Sequence, residues 1–148
     1  MELDLVYLKV IHNFYYLCAM LRWRLENKAT FYDTLIKWWS DWDFPIVGYS
    51  SLPERIFVVS YDDTDLYAIP VTVGDSDMCM IGFITGNKNT TKEQRKGSLD
   101  YLLDKVETCM RYNGYKVIVT ISGTPSLKRL FEDNNYNVSV GNEYTKRI

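Results

Sequence analysis

The stretch TTKEQRKGSLDYLL, residues 90–103, carries side chains suited to binding an anion, directly before an apolar helical pattern. Around its start, over residues 88–97, four cations stand against one acidic residue, Glu93; they are Lys88, Lys92, Arg95 and Lys96. Because the whole chain has a formal net charge of −2, this local excess of positive charge favours an anionic ligand. The first N–H groups of a helix bind phosphate, and Gly97 has no Cβ to hold an anion away from them. The stretch therefore predicts a phosphate-binding site.

A ligand-free interpretation also fits these residues. Thr90 and Glu93 have the spacing of a capping box, which predicts a helix that begins near Thr91 and holds Gly97 in its second turn. The cations would then be only the solvated first turns of that helix. The apolar pattern starts at Leu99, however, so residues 92–97 need not face a core. Both interpretations stay open on the sequence.

The composition is that of a folded protein, and its charge does not favour nucleic acid. The 148 residues are 47% hydrophobic and 24% charged, which is enough apolar surface for a core and indicates a single domain, 1–148. Aromatic residues reach 15%, which is high, and aromatic rings build cores, pockets and interfaces. A net charge of −2 gives no bulk attraction to nucleic acid, so we expect no nucleic-acid partner.

The sequence predicts a soluble cytoplasmic protein without a metal site. Its longest apolar run, residues 14–21, is too short to span a membrane, and the N-terminus is acidic, unlike an export signal. We therefore expect no membrane partner. Cys18, Cys79 and Cys109 lack a CxxC pair, which is typical of reduced cysteines. The only histidine, His12, has apolar neighbours that suggest packing, so no metal is expected.

The first half of the chain predicts one strand, two helices and a three-stranded meander. Residues 3–11 alternate as a strand, and residues from Tyr15 to Asn27 have helical spacing. A second helix covers residues 30–44, with Thr30 as its cap and three tryptophans near helical spacing. After a loop, three β-rich runs are joined by the turn sequences DDTD and GDSD, at residues 55–61, 65–73 and 77–85.

The second half predicts a long helix, a buried strand, a short helix and two closing strands. Leucines, Val106 and Met110 mark the helix, and Gly114 ends it. Residues 116–122 are a continuous apolar strand of the kind found in the middle of a sheet. Pro125 begins the short helix, and strands follow at residues 136–140 and 143–148. The order β-α-α-β-β-β-α-β-α-β-β predicts an α+β fold, with helices on both faces of a mixed, mostly antiparallel sheet.

This order and the basic stretch together resemble the GCN5-related N-acetyltransferase (GNAT) superfamily. Its motif [Gln/Arg]-x-x-Gly-x-[Gly/Ala] is matched at Gln94 and Gly97, and Leu99 stands where a second small residue is expected. The C-terminal signature Tyr-x-x-x-Gly-Phe looks like FEDNNYNV, with Phe131, Asn135 and Tyr136 at the three named positions. The segment from WWSDWDFP through LPE to the end also looks like divergent acetyltransferase-like proteins of bacteriophages.

The resemblance implies acetyl-CoA as cofactor, held beside a bulged strand. The family's fourth strand, here MCMIGFIT, carries a bulge that splays it from the strand KVIVTIS, and Gly82 and Gly86 are compatible with one. The tryptophan helix maps to the element that covers the acceptor, although for at least two of Trp38, Trp39 and Trp42 packing on the sheet is the favoured interpretation. The resemblance implies as cofactor-binding residues Ile84, Gln94, Arg95, Lys96, Gly97 and Ser98.

No catalytic residue is predicted. The family commonly protonates the leaving thiolate with a tyrosine, but Phe131 stands at that position and cannot donate a proton. The other polar candidates near strand ends are turn or surface residues by their context, namely Glu54, Tyr61, Asp75 and Asp77.

Two functions follow from the resemblance. The first is a phage-encoded acyl-CoA-dependent N-acetyltransferase in the host cytoplasm, which passes an acetyl group to an unknown amine mainly by positioning the reactants. The alternative is a catalytically silent protein of the same fold, a virion component or host-directed binding module whose partners are other virion or host proteins. Leu99, Phe131 and the surplus of aromatic residues favour the alternative.

Overall fold

One eight-stranded sheet organises the described residues, 20–139 and 141–148, in the computed structural model. The strands are β1 (Leu21–Asn27), β2 (Arg55–Tyr61), β3 (Thr64–Val73), β4 (Met78–Ile81), β5 (Thr85–Gly86), β6 (Val117–Ile121), β7 (Asn137–Val138) and β8 (Glu143–Arg147). Their order across the sheet is β1-β2-β3-β4-β6-β8-β7, and β5 pairs with β3. Only β4 and β6 pair in parallel within this part of the chain. The sheet is therefore mixed and mostly antiparallel, and β6 is a central strand, as predicted.

Helices cover both faces of the sheet. They are α1 (Lys28–Asp41), α2 (Lys92–Arg95), α3 (Ser98–Tyr112) and α4 (Pro125–Asp133). The buried side chains of α1 pack on β2 and β3, in a cluster of Phe31, Leu35, Trp38, Trp39, Ile56, Val58 and Ala68. Those of α3 and α4 pack on the opposite face, in a larger cluster that includes Phe57, Ile69, Ile81, Leu102, Leu103, Val106, Ile118 and Phe131. The predicted α+β class is confirmed.

The helix predicted from Tyr15 to Asn27 is wrong over residues 21–27, which form β1. Seven consecutive residues of β1 pair antiparallel with β2, from Leu21 opposite Tyr61 to Asn27 opposite Arg55. The spacing of Leu21 and Leu25 fits a helical turn, but four residues also return to the same face of a strand. The Trp23 ring between them stacks on Phe57 of β2 at 5.9 Å, and this pairing decides for the strand. The strand expected at residues 3–11 and the start of that helix lie outside the described residues.

The cap of α1 also differs from the prediction. Asn27, and not Thr30, is the N-cap residue, because its side-chain oxygen accepts the backbone N–H of Thr30 at 3.0 Å. The Thr30 hydroxyl donates to Glu26 at 2.9 Å. Between β1 and β2 the described chain contains one α-helix, α1, which corresponds to the second predicted helix.

Candidate functional site: a cleft through the sheet

A β-bulge separates β4 from β5, where the sequence predicted one strand over residues 77–85. Val71 of β3 pairs with Ile81 and Ala68 pairs with Thr85. Between these two pairs β3 has two residues and the partner strand has three. The extra residue is accommodated at Phe83, whose φ is 58°. The expected bulge is present, and it divides the strand in two.

Pro70 explains why the bulge lies at this place. Its carbonyl accepts the N–H of Gly82 at 3.3 Å, so the backbone of Pro70 faces β4. In an antiparallel strand the N–H and C=O of one residue point to the same side, but proline has no N–H to donate. The hydrogen-bond ladder of β3 therefore lacks a donor opposite the bulge.

Beyond the bulge the sheet opens. The parallel pairing of β4 with β6 runs only as far as Ile81 opposite Thr120, and β5 then pairs with β3. Asn87 donates its N–H to the carbonyl of Leu66 in β3 at 2.8 Å. Backbone groups of successive strand residues point to opposite sides, so those of Gly86 and Ile84 point away from β3. The edge of β5 thus faces a gap beside the end of β6.

A cleft of about 320 Å³ lies at this gap and is lined from both faces of the sheet. From the α3 and α4 face come Arg95, Leu99 and residues at the start of α4; from the α1 face come Trp42 and Phe44. The edge of β5 lies between them. The complete lining is Trp42, Phe44, Tyr67, Ile84, Gly86, Arg95, Leu99, Thr124, Ser126 and Leu127. The cleft therefore connects one face of the sheet with the other.

The basic stretch forms one helical turn followed by a separate helix. The capping box is one residue later than predicted: Thr91 and Gln94 cap each other, at 3.2 Å for the Gln94 N–H and 2.9 Å for the Thr91 N–H. Gly97 has a φ of 70° and breaks the chain between α2 and α3, so it does not lie in the second turn of one helix. A Cβ at Gly97 would meet open space, which leaves the backbone at the start of α3 accessible.

The six predicted cofactor-binding residues have different positions. Ile84 and Arg95 line the cleft. The Gln94 side chain is used in the capping box, and the Ser98 hydroxyl is buried and donates to the carbonyl of Arg95 at 2.7 Å, which holds the turn before α3. Lys96 and Gly97 are exposed beside the cleft-lining Arg95, outside the lining itself.

The end of α1 places two aromatic rings in the cleft. Asp43 has a φ of 57°, and the N–H groups of Asp43 and Phe44 donate to Ser40 and Trp39 at 3.1 and 2.8 Å. This is a Schellman motif with an aspartate where glycine is usual. It turns the chain so that Phe44 stacks on Trp42, with ring centroids 6.1 Å apart and planes at 15°. Trp38 and Trp39 are core residues, so the packing interpretation holds for two of the three tryptophans.

The Tyr-x-x-x-Gly-Phe-like signature is the C-terminal cap of α4. Asn135 has a φ of 66°, and the N–H groups of Asn135 and Tyr136 donate to Glu132 and Phe131 at 3.2 and 2.9 Å. This Schellman motif explains why glycine is usual at the Asn135 position. It also brings the rings of Phe131 and Tyr136 to 5.1 Å, inside the core. The Phe131 side chain therefore lies outside the cleft lining.

A buried polar cluster lies behind this cap. The ammonium of Lys146 is 3.0 Å from both carboxylate oxygens of Glu107, and the Tyr136 hydroxyl donates to the same carboxylate at 3.2 Å. Burial raises the pKa of Tyr136 far above its usual range, and the Glu107 charge raises it further. These groups satisfy one another within the core and have no role in the cleft.

Several cleft residues were not predicted from the sequence. Phe44, Tyr67 and Thr124 come from separate segments, and only the folded sheet brings them together with Trp42, the one tryptophan of the predicted helix that lines the cleft. The bulge did have a sequence signal, since Pro70 interrupts an otherwise regular strand pattern. Within the described residues no group of three or more His, Cys, Asp or Glu side chains is placed to hold a metal ion. None of the helices in the same residues is long and apolar enough to cross a membrane.

Solved structures of GNAT acetyltransferases share this architecture. No protein-family model matches the sequence, and no curated protein matches it. An acetyltransferase of the GNAT family from Staphylococcus aureus Mu50 superposes with a TM-score of 0.68 at 11% identity, over 86% of this chain and 98% of that one. YncA of Salmonella typhimurium, solved with its cofactor acetyl-CoA, gives 0.63 at 12%, over 86% and 94%. N-acetylglutamate synthase from Neisseria gonorrhoeae, complexed with coenzyme A and L-arginine, gives 0.67 at 9%, over 87% and 33%. The chain has the GNAT fold.

Proposed function

We propose that this protein binds acetyl-CoA in the cleft and transfers its acetyl group to an amine. The observation that carries the proposal is the cleft itself, which opens where the pairing of β4 with β6 ends and has a cation, Arg95, at the end of α2. YncA, which shares the fold, has acetyl-CoA bound, and N-acetylglutamate synthase has coenzyme A bound.

The chemistry of the cleft fits such a ligand. A pyrophosphate needs cations and free N–H groups, and the exposed backbone at Gly97 with Arg95 and Lys96 supplies both. An amide-containing arm needs backbone partners, and the edge of β5 at Ile84 faces the gap. Apolar side chains line the same space, namely Ile84, Leu99 and Leu127.

The protein's own contribution is binding and orientation. Acetyl-CoA supplies an activated acetyl group and a sulfur leaving group when bound. The hydroxyl groups that line the cleft belong to Tyr67, Thr124 and Ser126, and they are the side chains within it that can exchange a proton at the sulfur or the amine. Holding two reactants in a productive geometry is worth several kcal/mol, about 7–11 in well-oriented systems.

Calorimetric titration with acetyl-CoA tests the proposal. A charge-assisted contact contributes about 1.5–3 kcal/mol, so Arg95→Ala and Lys96→Ala should each weaken binding about tenfold or more. Arg111→Ala is the matched control, because Arg111 is an exposed cation near the opposite end of α3 and should leave the affinity unchanged. Absence of binding by the parent protein, or an equal loss in all three variants, would reject the cofactor site.

Gly97 allows a second test that separates strain from ligand contact. A side chain at φ 70° is strained by about 1–2 kcal/mol, but asparagine tolerates this conformation better than valine. We expect Gly97→Val to lower both stability and acetyl-CoA affinity, since a branched side chain would cover the start of α3. Gly97→Asn should lose less stability, so a matching loss of affinity in Gly97→Asn isolates the effect of a side chain at the phosphate site.

A catalytically silent binding module is the second candidate, and one surface favours it. Cys79 and Ile81 are buried under α3 and α4, so the alternating Met78 and Met80 lie on the other face, where α1 packs against β2, β3 and β5. Met78, Met80 and Ile121 of β6 are exposed there, Ile121 by 68%. A virion or host protein would cover these side chains. Release of coenzyme A in the presence of acetyl-CoA and any amine would reject this candidate.

Both candidate functions assume that a bacteriophage encodes the protein. The segment from WWSDWDFP to the end of the chain supports it by its resemblance to phage proteins. The enzyme would then act in the host cytoplasm, and the silent module in the virion or on a host protein.

A further inference from the structure

The two ends of the cleft differ in chemistry. Arg95 and Leu99 line it from the α3 side, while Trp42 and Phe44 line it from the α1 side of the sheet. If the cofactor's phosphates lie at the basic end, the acceptor amine must approach from the other face. The side chains that meet the acceptor are therefore the aromatic pair at the end of α1.

This aromatic pair is held in a fixed position. The indole Nε1 of Trp42 donates to the carbonyl of Gly86 at 2.8 Å, which ties the ring to the edge of β5. The Lys88 ammonium lies 5.2 Å from the centre of the Trp42 ring and donates to the carbonyl of Asp41 at 3.0 Å. Phe44 stacks on this ring, is fixed by the Schellman motif, and is 52% exposed. A rigid, accessible aromatic surface thus borders the acceptor end.

We infer that the acceptor is an alkylamine that bears an aromatic ring, and that the ring packs against Phe44 and Trp42; this rests on the proposed acetyl transfer. Aromatic rings prefer offset-stacked or edge-to-face partners, and a ring pair contributes about 0.5–1.5 kcal/mol beyond burial alone. In the reaction the amine nitrogen forms a bond to the acetyl carbon and the carbon–sulfur bond breaks. The amine loses one proton and the leaving sulfur gains one, giving an acetamide and free coenzyme A.

A pair of matched amines tests the inference. 2-Phenylethylamine and 2-cyclohexylethylamine have the same charge and nearly the same size, but only the first is aromatic. Calorimetry gives their dissociation constants, and coenzyme A release gives their kcat/KM. We expect 2-phenylethylamine to be favoured about two- to tenfold in both measurements. Phe44→Leu should bring this ratio close to one, whereas Tyr112→Leu, which removes a 91% exposed aromatic ring at the end of α3, should leave the ratio unchanged.

The outcomes separate the inference from the proposed function. Acetyl-CoA binding with equal use of both amines, or with no transfer to the aromatic amine, overturns the aromatic acceptor and leaves the cofactor site standing. A preference that survives Phe44→Leu overturns the role of this aromatic pair. Absence of acetyl-CoA binding by the parent overturns the proposed function, and the inference with it.

Discussion

The ammonium group of Lys146 lies 3.0 Å from each carboxylate oxygen of Glu107, and the pair joins β8 to α3 beneath a surface that leaves Glu107 5% exposed. Lys146→Met should lower the free energy of unfolding by about 3–5 kcal/mol, because it leaves a buried carboxylate without its cation. The double variant Glu107→Gln with Lys146→Met should lose less, since no uncompensated charge remains.

The control for this pair is an exposed one. Lys128 and Glu132 on α4 are 3.9 Å apart with both side chains half exposed, so Lys128→Met should cost less than about 1 kcal/mol. Urea unfolding measures all three variants. Equal losses from Lys146→Met and Lys128→Met would show that the buried pair is screened like a surface pair.

Alkaline pH should destabilise the protein through Cys79. Burial raises the pKa of this thiol to about 11 from an ordinary value of 9.0. The unfolded chain therefore loses this proton near pH 9 while the folded protein keeps it, so the stabilisation is complete below pH 9 and is lost as the pH rises to 11. The full effect is about 2–3 kcal/mol.

Unfolding of Cys79→Ala isolates this contribution. Between pH 8.5 and 10 the parent should lose stability with a slope that the variant lacks, and comparison of slopes removes the constant cost of the substitution itself. Above pH 10 the raised pKa of Tyr136 adds a further decline in the free energy of unfolding, which both proteins share. Identical slopes in the lower range would contradict the buried state of the thiol.

Gly86 should not accept a side chain. A Cβ at this position would lie 2.8 Å from Cε1 and 3.2 Å from Cδ1 of Tyr67, so the Tyr67 ring would have to move. We expect Gly86→Ala to cost about 1–3 kcal/mol, as overpacking does. Gly82→Ala, in the same stretch but facing open space, should cost little. In a Tyr67→Ser background Gly86→Ala should cost less stability than it does in the parent protein, which urea unfolding would detect.

Phe131→Tyr should destabilise the protein without raising any rate of coenzyme A release. The ring is fully buried between Tyr136 at 5.1 Å and Tyr144 at 5.4 Å, so an added hydroxyl enters an apolar site at a cost of about 1–3 kcal/mol. Phe44→Tyr is the control for stability: its added hydroxyl would reach water, so it should cost little. A faster release by Phe131→Tyr would show instead that this position does reach the leaving sulfur.

The helices and strands with a clear hydrophobic periodicity were predictable from the sequence, and the exceptions have local causes. β2 matches the predicted residues 55–61, and α3 has its predicted apolar stripe and ends at Tyr112, just before the left-handed Gly114. β1 was mistaken for a helix because Leu21 and Leu25 fit both periods, and only pairing with β2 decides between them. The capping box shifted by one residue because neighbouring threonines, Thr90 and Thr91, offer two registers.

The site was less predictable than the fold. Arg95 and Ile84 were identified through the resemblance, because a basic motif and a bulged strand are local features. The aromatic end of the cleft depends on Asp43 taking a left-handed conformation that glycine usually takes, and this turn then directs Phe44. The sequence gives no direct indication that residues near 42, 67 and 124 meet. They are far apart along the chain, and only the folded sheet brings them into proximity.

Pro70 has a consequence for how the cleft meets a ligand. A side chain can repack, but the missing N–H of a proline is fixed by its covalent structure, so the bulge beside the open part of the sheet is present before any ligand binds. Binding then needs no energy to pull two strands apart, and the strand edge is presented as a preorganised template. The association rate of a ligand at this edge should accordingly be governed by diffusion and charge, with no slow conformational step.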